Sequence, residues 1–139
     1  MSFLAQVTYT GNNSTTGYSI TFPFIDSTHV KAYLNGTATT AFTISSSTLT
    51  FNTAPASGVT IRIERQTPTT GRLVDFTDGS VLTETDLDKS ADQNFYIAQE
   101  FSDDSQSHIA IGTDDKADAQ SKIIKNVANP VNNNDAVNK

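Results

Sequence analysis

Short stretches in which every second side chain is apolar run through the first half of the chain. Such alternation is typical of a half-buried β-strand, because successive side chains of a strand point to opposite faces. The clearest stretches are Val7–Tyr9, Val30–Leu34 and Val59–Ile63. Asn35-Gly36 is the sequence signal of a two-residue hairpin turn. The pattern therefore predicts a mainly β fold, with a compact antiparallel β-sandwich-like domain at residues 1–82.

Aromatic side chains are concentrated in one further predicted strand. Tyr18, Ile20, Phe22 and Phe24 share one face of it. Pro23 has no N–H group to donate, so the strand is expected to end there or to lie at a sheet edge. We interpret these aromatic residues as ordinary sandwich core.

Three charged residues stand near the end of the last predicted strand. Arg62, Glu64 and Arg65 are expected to form a solvated strand face. The alternative is that they belong to a surface that docks on another protein.

The pattern changes after residue 82, where a helix is predicted from Thr83 to about Ser105. Thr83 can accept a hydrogen bond from a free backbone N–H of the first turn, and Asp86 favours the positive end of the helix. Within the helix, a 4-3-4-3 spacing forms a coiled-coil seam. The seam consists of Leu87, Ala91, Asn94, Ala98 and Phe101.

Two observations favour self-association of this helix over packing of the seam on the chain's own sheet. Asn94 is a polar seam residue of the kind that fixes register between identical helices. Outside the seam the helix is strongly acidic, so most of its circumference is expected to face water. The acidic residues are Glu84, Asp86, Asp88, Asp92, Glu100, Asp103 and Asp104. The residues that widen the apolar surface are Phe95, Tyr96 and Ile97.

Composition excludes several classes of function. The net charge is −6 and the basic residues are scattered, which argues against a nucleic-acid groove. The absence of cysteine rules out disulfides and thiolate zinc sites and is consistent with synthesis in a reducing cytosol. No apolar run approaches membrane-spanning length, and the N-terminus lacks the pattern of a signal peptide. No nucleic-acid or membrane partner is therefore predicted.

Candidate catalytic residues are few and poorly arranged. Asp75, Asp78 and Glu84 are close in sequence and resemble an acid–base pair. Their positions in a turn and in a first helical turn give Asp78 and Glu84 structural roles instead. His29 and His108 have no nucleophile or metal-ligand partner at a meaningful spacing. We predict no enzyme, no cofactor and no metal site.

The stretch from Arg72 to Leu87 resembles the signature of the N-terminal domain of tail fibre proteins from T7-like podoviruses. The resemblance extends back to Tyr18–Phe24 and forward to Ile111-Gly112. The positions that match the family motif are expected to form an architectural joint between the β-domain and the helix. This joint motif consists of Arg72, Leu73, Val74, Asp75, Phe76, Asp78, Gly79 and Ser80.

The resemblance implies a structural protein of the virion, made in the cytoplasm of the host bacterium and located in the phage tail. Its module would anchor a trimeric fibre or tailspike for host attachment. Residues 1–82 would dock on adaptor or nozzle proteins of the tail, and the helical segment at 83–112 would form a homotrimer. An extended linker at 113–139 would lead to the fibre shaft or to a separate spike.

The end of the chain supports this implication. Ser121–Lys139 is similar to an element that precedes the shaft in many phage fibre proteins, and residues 122–139 would lead into that shaft. Asp135 is a good N-cap for a helix with almost no residues left, so continuation by another segment is expected. Two alternatives stay open: a freestanding adaptor that holds a separately encoded spike, and a soluble carbohydrate-binding β-module.

Overall fold

The computed structural model describes residues 3–119, 121, 123, 124 and 129. The chain divides into two compact units, Met1–Asp104 and Ser105–Lys139. The predicted cap at Asp135 and nearly all of 122–139 lie outside the described residues.

Seven strands of the first unit form two antiparallel sheets. In chain order they are β1 (Gln6–Thr10), β2 (Gly17–Ser19), β3 (Val30–Leu34), β4 (Thr37–Thr39), β5 (Phe42–Ser45), β6 (Thr48–Phe51) and β7 (Thr60–Arg65). The larger sheet has the order β1-β7-β3-β4, and the smaller has the order β2-β6-β5. A 3₁₀ turn at Ser27–His29 leads into β3. The predicted antiparallel β fold is confirmed.

Side chains from both sheets meet in one hydrophobic core. Its buried members are Tyr18, Ile20, Phe22, Val30, Ala32, Leu49, Phe51, Ile61 and Ile63. Each large apolar side chain removed from water contributes about 1.5–3 kcal/mol. The interpretation of Tyr18 and Phe22 as sandwich core is confirmed.

The predicted aromatic strand is shorter than its alternation suggests. β2 ends at Ser19, although Ile20 and Phe22 remain buried beyond it. The backbone N–H of Ile20 donates to the carbonyl oxygen of Ser47 at 2.7 Å. β2 lies at the edge of its sheet, as Pro23 predicts.

The hairpin signal at Asn35-Gly36 is confirmed. Both residues have positive φ, at 49° and 83°, and they connect the antiparallel pair β3 and β4. Two positive φ angles are what a type I′ turn requires, and its twist matches that of the flanking strands.

β7 is an inner strand of the larger sheet. Its side chains differ from the prediction at one position. Ile61 and Ile63 point into the core, and Arg65 is also buried. The expectation of a solvated face that includes Arg65 is wrong. Side chains alternate with a period of two, so Arg65 shares a face with Ile61 and Ile63. Arg62 and Glu64 lie on the other face, where they form a half-exposed ion pair at 3.3 Å.

The predicted helix is present as α1 (Glu84–Ser107). Its start is confirmed: the hydroxyl of Thr83 accepts the backbone N–H of Asp86 at 3.1 Å and donates to the Asp86 carboxylate at 2.6 Å. No helix in the described part of the chain is both long and apolar enough to span a bilayer.

Two very short strands follow the helix in the second unit. β8 (Ala110–Ile111) pairs antiparallel with β9 (Ala117–Asp118). The backbone N–H of Gly112 donates to the carbonyl oxygen of Lys116 at 2.7 Å, which closes the turn between them. The predicted linker at 113–139 therefore begins with the turn and the second strand of a two-stranded ribbon.

Candidate functional site

The helix packs on the β-domain through one polar face. We call Gln93, Tyr96, Glu100 and Asp103 the docking face. Their 3-4-3 spacing places them on one side of the helix. Gln93, Tyr96 and Asp103 are buried, and Glu100 is half-buried. Together these residues contact the β-domain and the connection that follows it.

Arg65, at the end of β7, makes the most extensive of these contacts. Its side chain is fully buried, and its Nε donates to the Glu100 carboxylate at 2.8 Å. Its other nitrogens donate to the carbonyl oxygens of Pro23 and Tyr96 and to the Gln99 side chain. The guanidinium carbon lies 3.9 Å from the centre of the Tyr96 ring. Hydrogen bonds and a cation–π contact thus compensate the burial of this charge.

Glu100 also holds the start of the connection between β7 and the helix. Its carboxylate accepts the backbone N–H of Thr67 at 2.9 Å and the Thr67 hydroxyl at 2.6 Å. Hydrogen bonds to a charged acceptor are stronger than neutral ones. One carboxylate therefore joins the helix both to β7 and to the residues that follow it.

Asp103 fixes the N-terminal segment. Its carboxylate accepts the backbone N–H groups of Leu4, at 2.8 Å, and Ala5, at 2.6 Å. Ala5 is itself buried, and its carbonyl oxygen accepts the N–H of Arg65 at 2.8 Å. The beginning of the chain is thus held between the helix and the end of β7.

Gln93 holds the joint motif. Its amide oxygen accepts the backbone N–H of Leu73 at 2.8 Å. Its amide nitrogen donates to the carbonyl oxygens of Pro68 and Gly71, at 2.9 and 2.8 Å. A single side chain therefore satisfies three backbone groups of the connection and holds it against the helix.

These contacts correct two expectations about the helix. Glu100 and Asp103 do not face water, because their carboxylates bind backbone N–H groups of the β-domain and its connection. Tyr96 does not widen the apolar seam, because its ring is buried against Arg65. Burial raises the pKa of the Tyr96 phenol, and the charge of Asp92 raises it further.

The predicted seam residues lie together on the opposite, exposed face of the helix. At about 100° per residue, they are centred roughly half a turn from the docking face. Leu87 is 50% exposed and Phe101 is 74% exposed. Ala91, Asn94 and Ala98 are exposed as well. The alternative in which the seam packs on the chain's own sheet is wrong, because the docking face occupies that position.

The first residues of the joint motif contact the helix, and the later ones are exposed to solvent. Leu73 and Val74 are half-buried, next to the Gln93 contact. Arg72 and Asp75 form an exposed ion pair. Phe76 is exposed too. The structure therefore brings the first motif residues to the helix and leaves the later ones at the surface.

The turn within the motif is built around Gly79. Its φ is +82°, and the backbone N–H of Ser80 donates to the carbonyl oxygen of Thr77 at 3.0 Å. Asp78 occupies the other central position of this turn. A positive φ at this position of the turn is typical of glycine.

The other residues considered for catalysis or metal binding take part in local structural contacts. Asp75 pairs with Arg72, and Glu84 is in the first turn of α1. His29 is buried in the 3₁₀ turn before β3. Across the described residues, no three His, Cys, Asp or Glu side chains are grouped as metal ligands would be.

Sequence reasoning did not identify the docking contacts, although two signals were present. Alternation of side chains along β7 places Arg65 on the same face as the core residues Ile61 and Ile63. The 3-4-3 spacing of Gln93, Tyr96, Glu100 and Asp103 matches a helix face, but a mostly polar one. Apolar periodicity alone does not detect such a face.

Comparison with known proteins identifies a family and several relatives. Residues 1–119 match the family model of the phage T7 tail fibre protein, N-terminal domain. The tail fibre protein of Escherichia phage T7 is 35% identical over 141 residues, which cover 94% of this chain and 26% of that protein. A capsule KL64-specific depolymerase of Klebsiella phage P510 is 46% identical over 77 residues, or 55% of this chain and 8% of that protein.

A third relative is the anchor protein of Klebsiella phage KP34. It is 30% identical over 117 residues, which cover 84% of this chain and 37% of that protein. The chain thus spans about a quarter of the T7 tail fibre protein and about a third of the anchor protein. The resemblance noted at Arg72–Leu87 is confirmed: the chain belongs to the family of the N-terminal domain of the phage T7 tail fibre protein, and its place is the tail of a phage virion.

Proposed function

We propose that this chain anchors a trimeric tail fibre or tailspike to the phage tail for host attachment. Residues 1–82 dock on adaptor or nozzle proteins of the tail, and residues 83–112 hold three copies together. Residues 113–139 lead to the fibre shaft or to a separate spike. Membership in the tail fibre family supports the anchoring role. The two opposite faces of α1 support the trimer.

The positions of the docking face and the seam on opposite sides of α1 are the main support for the trimer. The docking face binds the β-domain through polar contacts, and the apolar seam with Leu87 and Phe101 faces outward. Exposed apolar side chains at coiled-coil spacing are stabilised when identical helices cover one another. The β-domain lies on the far side of the helix, so three seams can meet on one axis without collision between the three domains.

A trimeric anchor has a clear advantage over a single one. Each β-domain is small and can offer only a modest contact patch. When three copies are linked, the second and third contacts become intramolecular. Such linkage raises avidity by roughly 10²–10⁴ without any new contact.

We also propose that the chain has no catalytic activity of its own. The carboxylates considered for acid–base chemistry have structural tasks: Asp75 pairs with Arg72, Asp78 belongs to the Gly79 turn, and Glu84 is in the first helical turn. The name of the P510 relative describes a depolymerase, but this chain matches only 8% of that protein.

A second candidate function is that of a freestanding adaptor for a separately encoded spike. The observation that favours it is the similarity to the anchor protein of phage KP34 over 84% of this chain. Intact-mass spectrometry of the protein in virions separates the two proposals. A shaft on the same polypeptide supports the fibre module, and a polypeptide without one supports the adaptor.

Light scattering on the purified chain tests the trimer, which should have three times the mass of 14.9 kDa. Phe101→Ser should yield monomers, because it removes the largest apolar side chain of the seam. Thr85→Ser, at an exposed helical position off the seam, should remain trimeric. A monomeric wild-type chain at tens of micromolar would contradict the proposed trimer.

Binding to fibreless phage tails tests the anchoring role. The wild-type chain should bind tightly, and the Phe101→Ser monomer should bind weakly, by roughly 10²-fold or more. Equal binding by both proteins would show that the helix does not act through avidity. Absence of binding by the wild-type trimer would contradict the anchoring role itself.

A further inference from the structure

The two sides of the seam differ in shape. On one side Phe95 projects from the helix and is 58% exposed. On the other side an open groove of about 460 Å³ lies between the helix and the connection that holds the joint motif. Residues of the connection at 69–72 line it, together with Ser90, Asn94 and Ile97 of the helix. We call this depression the joint groove.

The helical rotation places these two features on opposite sides of the seam. At about 100° per residue, Phe95 lies about 80° to one side of the seam centre. Ser90 and Ile97 lie about 60–80° to the other side. In heptad terms Phe95 is an e position, and Ser90 and Ile97 are g positions.

We infer that in the trimer Phe95 of each copy packs into the joint groove of the next copy. This inference rests on the proposed trimer. A closed ring of three identical copies is related by one threefold axis, and helices that lie along that axis are therefore parallel. In parallel coiled coils the e position of one helix lies beside the g position of its neighbour. Phe95 consequently faces the side of the neighbour on which the joint groove opens.

Contacts within each copy border both surfaces. The centroid of the Phe95 ring lies 6.1 Å from that of Tyr96, and the Arg65 guanidinium covers Tyr96 at 3.9 Å. On the groove side, the Gln93 amide binds the carbonyl oxygen of Gly71 and fixes the wall of the groove. An aromatic side chain has few rotatable bonds, so it loses little entropy when it enters a groove whose wall is already fixed.

In this arrangement the joint motif also takes part in the contact between copies. Arg72 begins the motif and also lines the groove, so the connection that joins the β-domain to the helix also contacts the neighbouring copy. Each copy donates one Phe95 and receives another. The same contact repeats around the ring and closes it.

The chain contains no cysteine, so a disulfide between introduced residues gives a direct test. The variant that combines Phe95→Cys with Thr70→Cys should form covalent trimers under mild oxidation, because the contact brings residues 70 and 95 of adjacent copies within bonding reach. The control combines Phe95→Cys with Thr43→Cys, at an exposed position on β5. The control should not form covalent trimers.

Light scattering of the reduced double variant separates the possible failures. A trimer that does not crosslink leaves the proposed trimer intact and overturns the groove contact. If the reduced double variant and the wild-type chain are both monomeric, the proposed trimer and the groove contact are both overturned. Covalent trimers in the test pair and none in the control support the inference.

A second variant tests the energetics without oxidation. Phe95→Ala should weaken trimer association by at least roughly tenfold, because it removes an anchor from a pocket. Asp88→Ala, at the same heptad position one heptad earlier, should leave association nearly unchanged. Circular dichroism checks that the helix is retained in both variants. Unchanged association of a folded Phe95→Ala chain would overturn the inference.

Discussion

The guanidinium of Arg65 lies 3.9 Å from the centre of the Tyr96 ring, at the point where the last strand of the β-domain meets the helix. The same group donates hydrogen bonds to Glu100, Gln99 and the carbonyl oxygen of Pro23. Because three of these four partners belong to the helix, Arg65 determines where the helix lies on the β-domain. The exposed seam and the joint groove depend on that position.

We expect Arg65→Lys to destabilise the chain despite the retained charge. A lysine ammonium lacks the planar set of donors that reaches Glu100, Gln99 and Pro23 together. Disruption of a buried, hydrogen-bonded ion pair costs about 3–5 kcal/mol when one partner is removed, and the lysine should cost somewhat less. Chemical denaturation measures the change. Arg62→Lys on the same strand is the matched control, because the Arg62–Glu64 pair is partly exposed and contributes about 0–1 kcal/mol. Equal effects of the two substitutions would contradict the structural role of Arg65.

We expect Gly79→Val to destabilise the turn of the joint motif by about one to a few kcal/mol. The reason is backbone strain alone, because an added Cβ would meet no atom within 4 Å and φ is +82°. Gly17→Val is the control, since its φ is not positive and an added Cβ there would meet only the Thr48 Cγ2 atom, at 3.7 Å. Thermal unfolding compares the two variants. A stability of Gly79→Val equal to that of the Gly17→Val control would show that the strain is absent.

We expect Asn94→Ile to raise the melting temperature of the trimer and to broaden the distribution of oligomers. Asn94 is exposed in the seam, and its amide nitrogen donates to the carbonyl oxygen of Ser90 at 3.2 Å. A polar seam residue lowers stability but restricts register and copy number. Calorimetry and light scattering measure the two effects. If neither quantity changes, Asn94 does not face the partner helices.

We expect Asp26 to make stability depend on pH in the acidic range. Hydrogen bonds from the hydroxyl and the backbone N–H of Thr28 hold the pKa of Asp26 below its usual value of 3.8. A lowered pKa in the folded state means that the charged form is favoured there. The stabilisation that the charged Asp26 provides is complete at pH values above its usual pKa. It is lost as the pH falls through the lowered pKa of the folded state.

Asp26→Asn tests this expectation. The wild-type chain should be the more stable at neutral pH, and its advantage should shrink as the pH falls below about 4. Denaturant titrations at several pH values measure the difference. An advantage that stays constant over this range would show that the Thr28 contacts do not depend on the charge of Asp26.

Local signals in the sequence are sufficient to predict most of the strands and the helix of the first unit. Alternation at Val30–Leu34 and Val59–Ile63 predicts strands, Asn35-Gly36 predicts a hairpin, and Thr83 predicts the start of the helix. Each of these signals depends on the chain's own backbone geometry or on hydrogen bonds between residues a few positions apart. The seam spacing also places Leu87 and Phe101 on one face of the helix, because rotation per residue is a local property.

The face of the helix that the β-domain covers depends on contacts between distant residues. The partners of the docking face are distant in sequence: Asp103 binds the N–H of Ala5, 98 positions away, and Glu100 binds Arg65, 35 positions away. Such contacts carry no local periodicity, and a row of acidic residues has the same pattern whether it faces water or backbone N–H groups. The position of these carboxylates depends on where the end of β7 and the N-terminal segment bring unsatisfied donors together, which is a property of the assembled sheets.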